Sequence, residues 1–130
     1  KNNISSVVRS WRAGRHSGNG FLWGWMPPHP TFFVKKEVYE KYGAFNLLLT
    51  SAADYELMLR FMHKYKVKAA YLAEVIVKMR VGGISNKSFL HRMRANKEDR
   101  KAWKLNSLSA YPFTFLLKPI RKISQFLNKD

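Results

Sequence analysis

The sequence predicts an α/β fold, because short runs of strand-forming residues alternate with stretches of helical periodicity. Three runs have the length and composition of strands, at 31–34, 66–72 and 74–80. Between and after them, apolar residues recur every three or four positions, as in amphipathic helices. The 130 residues, 46% of them hydrophobic, are enough to bury a core. We therefore expect one domain with a mixed sheet and helices.

The charge of the chain is strongly unbalanced. It has 24 Lys and Arg against 8 Asp and Glu, which gives a formal net charge of +16. Such an excess implies an anionic partner: nucleic acid, phospholipid or a diphosphate-bearing substrate. The absence of Cys excludes a disulfide framework, a thiolate nucleophile and a Cys-ligated metal. Because the chain begins Lys-Asn-Asn, without an initiator Met or a signal peptide, we expect it to be part of a longer protein.

The first elements in chain order are a short helix over 4–13 and an aromatic loop rich in proline. In the loop GWMPPHP, the prolines fix φ and hold the preceding residues extended, so Trp25 and His29 project from a rigid segment. Residues 31–34 (TFFV) then predict a buried strand. A helix over 35–42 follows, and the next residue is a glycine suited to its C′ position.

A second helix is predicted to begin after Ser51, which is a good N-cap. Asp54 stands three residues later, where a capping-box acid reaches back to the Ser51 amide. Asp54 also has a functional interpretation, because a carboxylate at a helix start beside apolar surface is a candidate general base. Arg60 is expected to pair with Glu56 in a weak surface contact. A buried stripe is predicted from helical spacing: Ala53, Leu57, Met58, Phe61 and Met62.

The last predicted strand leads into a glycine pair. Gly82 and Gly83 let backbone amides approach a ligand closely, and Arg80 beside them is suited to hold a phosphate. A simple hinge between a strand and a helix is the alternative. A long helix is predicted over 86–106, with its many basic residues on a solvated face.

Residues 107–130 are predicted to form a separate basic extension. In PFTFLLKPIRKISQFLNK, basic residues lie opposite an apolar stripe, which indicates an amphipathic helix with a kink at Pro119. Its apolar runs are too short to span a bilayer. Two alternatives remain for what the apolar stripe contacts. One is an anionic membrane surface, bound through 112–129, and the other is a further part of the same protein. The members of the stripe are Phe113, Leu116, Leu117, Ile120, Ile123 and Leu127.

Three segments in this order resemble the C-terminal half of a glycosyltransferase family 2 domain: GWMPPHPTFFVKKEVYEKYGAFN, SAADYELMLR and MRVGGISNKS. The resemblance covers residues 9–105. It implies that 1–106 are the acceptor-side half of a GT-A, Rossmann-like domain. Such enzymes transfer a sugar, with inversion, from a nucleotide-diphosphate donor to a hydroxyl acceptor. Cell-surface polysaccharides and glycolipids are the implied products.

The resemblance also implies roles for particular residues. Asp54 matches the family's catalytic base by position, although Ala53 stands where the family more often has Glu. His29 matches a loop histidine near the donor, for which we expect a substrate contact, with metal ligation as the minority alternative. Arg80 belongs to the loop that closes over the diphosphate. The implied substrate-binding residues are therefore Trp25, His29, Arg80, Gly82 and Gly83.

The family holds a divalent cation, Mg²⁺ or Mn²⁺, at an Asp-x-Asp motif, and no Asp-x-Asp occurs in this sequence. The metal and nucleotide sites are therefore expected elsewhere in a longer protein, and this chain alone is expected to be inactive. A cytoplasmic location, with peripheral attachment to the inner face of the membrane, is implied as well. The alternative from another class is a basic module that binds nucleic acid or an anionic membrane without catalysis. Nucleic acid is not favoured, because Trp23 and Trp25 lie far in sequence from the basic tail.

Overall fold

The computed structural model describes residues 7, 9–80 and 89–127. Within these residues the regular elements are all helical. The α-helices are α1 (Lys36–Tyr42), α2 (Ala53–Met58), α3 (Phe89–Leu105) and α4 (Thr114–Leu127). A π-helical segment, Leu59–Lys64, continues α2, and two short 3₁₀ turns lie at Gly20–Trp23 and His29–Thr31.

The predicted mixed α/β sheet is wrong, and with it the Rossmann-like GT-A arrangement, because the described residues contain no strand. Thr31 ends a 3₁₀ turn, and 32–35 have no regular structure. Residues 66–80 have none either, and apolar side chains there such as Val75 and Met79 are exposed. A strand is stable only where a neighbouring strand takes up its backbone N–H and C=O groups. In the described part of the chain, these segments have no such neighbour.

The helix predicted over 4–13 is also wrong, since residues 9–13 have no helical structure. The rest of that prediction, apart from Val7, lies outside the described residues. The Ser10 N–H donates to the Gln125 carbonyl at 3.0 Å, and Trp25 Nε1 donates to the Ala13 carbonyl at 2.7 Å. The segment is therefore an irregular strip held between α4 and the aromatic loop.

The core lies where α2 and the π-helical segment pack on α3, α4 and the first 3₁₀ turn. The predicted stripe is confirmed at Leu57, Met58, Phe61 and Met62, and Ala53 is half-buried. The main cluster adds residues from every packed element: Phe21, Leu49, Ala52, Tyr55, Leu59, Ala102, Trp103 and Phe115. The fold therefore depends on apolar burial between helices and loops.

The predicted pairing of Arg60 with Glu56 is confirmed, but the pair is buried and not a surface contact. Arg60 Nε lies 2.9 Å from Glu56 Oε1, and the two side chains are only 12% and 3% exposed. Arg60 also donates to the carbonyls of Tyr42, Gly43 and Ala44, at the C-terminal end of α1. Asn106 Nδ2 donates to the same Glu56 carboxylate at 2.8 Å. This cluster therefore ties α1, α2 and the end of α3 together.

The remaining helix predictions agree with the structure. Gly43 follows α1 with φ 84°, and its N–H donates to the Tyr39 carbonyl. α3 ends within one residue of its predicted end, and the first three positions of the prediction, 86–88, lie outside the described residues. The basic residues of its last turns are exposed as expected: Lys97, Arg100, Lys101 and Lys104.

α4 forms as predicted, contains Pro119, and docks on the core through its first turns. Thr114 Oγ1 donates to the Leu22 carbonyl at 2.7 Å, and Lys118 Nζ contacts the Asp99 carboxylate at 2.5 Å. Gly24, with φ 72°, meets the backbone of α4 so closely that a Cβ there would lie 2.6 Å from the Lys118 nitrogen. No helix in the described part is long and apolar enough to cross a bilayer.

Candidate functional site

Asp54 and His29, predicted separately from the sequence, lie side by side. Asp54 Oδ2 is 3.3 Å from His29 Nδ1, and its other oxygen accepts the Tyr55 N–H at 2.8 Å. The Asp54 side chain is 34% exposed, so it is partly covered and still reachable by a ligand. The carboxylate therefore faces the histidine loop.

The loop positions His29 through its two flanking prolines. Pro28 has φ −63° and ψ 117°, and its carbonyl accepts both the N–H and the hydroxyl of Thr31, at 3.0 and 2.9 Å. The Phe32 N–H donates back to the His29 carbonyl at 3.2 Å. Because proline fixes φ and these bonds close the turn, the His29 backbone is held in one conformation. The imidazole is thus presented to the start of α2.

The N-terminus of α2 is capped from α3, and not by Ser51 as the sequence predicted. Glu98 Oε2 accepts the Ser51 N–H at 2.7 Å, the Ser51 hydroxyl at 2.9 Å and the Ala52 N–H at 3.0 Å. Ala52 is the N-cap residue, and no side chain of its own caps the helix. Burial raises the pKa of Glu98, but these hydrogen bonds outweigh it and leave that pKa below its ordinary value. The Asp54 carboxylate is consequently directed to His29 and not to a capping box.

A small cavity of about 50 Å³ opens at this pair. Apart from His29 and Asp54, its walls are mainly apolar, with Phe32, Leu57 and Met58 among them. The space is large enough for a hydroxyl group or a water molecule, since a cavity of roughly 10 to 15 Å³ can hold one water. A ligand hydroxyl that enters the cavity would meet one carboxylate in surroundings with few competing hydrogen-bond partners.

The other predicted site residues do not line this cavity. Trp25 is half-buried and lines a different cavity of about 250 Å³, together with Arg15, Trp23 and Arg121. Arg80 is exposed at the end of a described segment. Gly82 and Gly83 lie outside the described residues.

Sequence reasoning missed a buried polar cluster next to Asp54. Asp99 is 6% exposed, and burial raises its pKa while the Lys118 ammonium opposes the shift and Asp54 adds to it. Lys118 Nζ also lies 3.8 Å from the centroid of the Tyr55 ring. Burial raises the pKa of Tyr55, whose hydroxyl accepts the Trp103 indole N–H at 2.9 Å. The only sequence signal was that Glu98 and Asp99 interrupt an otherwise basic stretch.

The residues present do not fit a metal centre in the described part of the chain. No three His, Asp or Glu side chains are grouped there in a way that could hold a metal ion, and Asp54 with His29 supplies two ligands.

Comparisons with family models, with curated proteins and with solved structures give no match to this chain.

Proposed function

We propose that this chain provides the acceptor side of an inverting glycosyltransferase. The donor is a nucleotide-diphosphate sugar, the acceptor carries a hydroxyl group, and the product belongs to cell-surface polysaccharide or glycolipid synthesis. The observation that carries the proposal is the contact between Asp54 and His29 at a small, mainly apolar cavity. The resemblance of the histidine loop and of the segment around Asp54 to family 2 glycosyltransferases supports the same reaction.

In this proposal Asp54 is the general base. Its carboxylate accepts the proton of the acceptor hydroxyl while the hydroxyl oxygen forms a bond to the anomeric carbon of the donor sugar. The bond from that carbon to the diphosphate breaks on the opposite side, and the nucleoside diphosphate leaves with the electron pair. A single displacement of this kind inverts the anomeric configuration. His29, 3.3 Å from the carboxylate, contacts the substrate and keeps the base facing the cavity.

The divalent cation expected with the diphosphate is assigned to residues outside this chain, because no Asp-x-Asp occurs in the sequence. When bound, that cation would neutralise the departing diphosphate. We further propose a cytoplasmic location, peripheral on the inner face of a membrane.

The test uses the full-length protein that contains this chain, with a panel of nucleotide-diphosphate sugars and hydroxyl acceptors. We expect release of nucleoside diphosphate that depends on the acceptor. The anomeric configuration of the product, read by NMR, should be inverted relative to the donor. Retention of configuration, or no acceptor-dependent release with any donor of the panel, would contradict the proposal.

A further inference from the structure

The outer side of α4 carries large aliphatic side chains that no described element covers. Leu116, Ile120 and Ile123 are 64%, 58% and 60% exposed. At 100° per residue, these three positions lie within about 60° of one another around the helix. The core contacts of α4 are made from another side, by Thr114, Phe115 and Lys118. The helix therefore turns an aliphatic ridge away from the protein.

An aromatic cluster continues this ridge beyond the start of α4. The Phe113 ring centroid lies 5.5 Å from that of Trp23 and 5.2 Å from that of Tyr111, and all three side chains are substantially exposed. The Phe113 carbonyl accepts the N–H of Leu116 at 3.0 Å, so the cluster adjoins the first turn of the helix. We call the combined surface the α4 face: Trp23, Tyr111, Phe113, Leu116, Ile120 and Ile123.

The exposed basic residues of α4 lie away from the ridge, towards the polar side of the helix. Arg121 and Lys122 are exposed on α4, and at 100° per residue they lie about 130° from the centre of the ridge, one on each side. The Arg9 guanidinium is held beside the helix by Gln125 Oε1. Asp99, on the core side of α4, is buried under Lys118 and also attracts Lys122. The helix therefore carries exposed apolar side chains on its outer side and basic residues towards the opposite side, which is the pattern of amphipathic helices that bind anionic membranes.

We propose that the α4 face docks on an anionic phospholipid membrane. Amphipathic helices bind there by placing apolar side chains at the boundary between headgroups and acyl chains, with Lys and Arg near anionic lipids. Trp and Tyr favour the headgroup level. Single-stranded nucleic acid instead needs aromatic rings interleaved with basic groups, and it offers nothing to an aliphatic ridge. The proposal goes beyond the transfer reaction and does not depend on it.

The first test measures flotation of the full-length protein with vesicles at physiological ionic strength. Vesicles of phosphatidylcholine with phosphatidylserine are compared with phosphatidylcholine alone. We expect partitioning onto the anionic vesicles to be at least about tenfold stronger, because each basic residue near such a surface contributes roughly fivefold. Rising salt should weaken it. Equal partitioning onto both vesicles, or none onto either, would overturn the proposal.

The second test compares two double variants that change the net charge equally. Leu116→Glu with Ile120→Glu places carboxylates in the ridge, and we expect partitioning to fall at least about tenfold. Leu47→Glu with Leu48→Glu alters exposed residues between α1 and α2 and should keep nearly normal partitioning. All four positions are exposed, so both proteins should keep the wild-type circular dichroism spectrum. Equal losses in the two variants, or no loss in the first, would rule out the α4 face.

A third measurement separates lipid from nucleic acid. Anionic vesicles should shift the tryptophan emission to shorter wavelength, and Trp23→Phe should reduce this shift, because Trp23 belongs to the α4 face. Retention on single-stranded DNA at a salt concentration that already abolishes vesicle binding would overturn the proposal in favour of nucleic acid.

Discussion

At the scale of single residues, Asp54 differs from three other acidic side chains of the packed helices. Glu98 caps α2, Asp99 pairs with Lys118, and Glu56 pairs with Arg60. Each of these carboxylates is taken up by backbone amides or by a cation. Asp54 instead faces an imidazole at the edge of a cavity. Of these four carboxylates, Asp54 is therefore the one best placed for proton transfer to or from a ligand.

Two substitutions test which residue caps α2: Glu98, as the structure shows, or Ser51, as the sequence predicted. We expect Glu98→Gln to lower the free energy of unfolding by roughly 1 to 2 kcal/mol, because a charged acceptor for two backbone N–H groups is lost. Ser51→Ala should cost less, since its backbone N–H and that of Ala52 still reach Glu98. Urea unfolding followed by circular dichroism measures both. A larger loss for Ser51→Ala than for Glu98→Gln would contradict this assignment.

The stabilisation of α2 by Glu98 also depends on pH, and the direction of that dependence follows from the pKa of Glu98. The pKa of Glu98 in the folded protein lies below its ordinary value of 4.5, so its stabilising contribution is fully present above pH 4.5. It is lost as the pH falls through the folded-state pKa. The difference in stability between wild type and Glu98→Gln should therefore shrink below pH 4.5.

At the scale of elements, the sequence predicted the four α-helices, but its helix over 4–13 is wrong at 9–13 and its strands are wrong. α1 was predictable from its periodicity and its terminal glycine, and α4 from the spacing of its apolar residues. A helix satisfies its hydrogen bonds within itself, so a local pattern is sufficient to predict it. Residues 31–34 and 66–80 have strand-like composition, but a strand also needs a neighbour that no local pattern identifies.

The candidate site was also predictable only where local sequence is sufficient. Asp54 was predicted as a site residue from its position at a helix start, and His29 from its place in the proline loop. Both predictions use local sequence only. The 3.3 Å contact between the two residues, and the cap that Glu98 supplies, come from the packing of distant elements and have no local signature. Arg60 shows a related limit, because its pairing with Glu56 followed from helical spacing whereas its burial did not.

The close approach of the aromatic loop to α4 can be tested at Gly24. Gly24→Ala would place its Cβ 2.6 Å from the Lys118 nitrogen, so we expect a loss of about 3 kcal/mol or more in the free energy of unfolding. Gly14→Ala is the matched control, because Gly14 has a similar φ of 70° and nothing within 4 Å. It should cost only the left-handed backbone term of about 1 to 2 kcal/mol. The free energies of unfolding are measured with urea. Equal losses in the two variants would show that contact with α4 does not constrain Gly24.

At the scale of the whole molecule, the two proposed surfaces use different elements around one core. The cavity at Asp54 is built by the histidine loop, α1 and α2, and the α4 face by α4 and the aromatic cluster. Lys118 connects them, since it lies on the inner side of α4 and contacts both Asp99 and the Tyr55 ring beside Asp54. Membrane docking through α4 would therefore hold the proposed base at a fixed position relative to the lipid surface. Such an arrangement suits an acceptor that is itself attached to lipid.

The rate of sugar transfer by Asp54→Asn, measured in the full-length protein, tests the central claim most directly. Glu40→Gln is the matched control, because it removes an exposed carboxylate that pairs only weakly with Lys36. If Asp54 is the base, its loss should lower kcat by about 10² to 10⁴ with little change in the acceptor KM, and Glu40→Gln should transfer normally. A kcat of Asp54→Asn close to that of the wild type would contradict the role of Asp54 as the base.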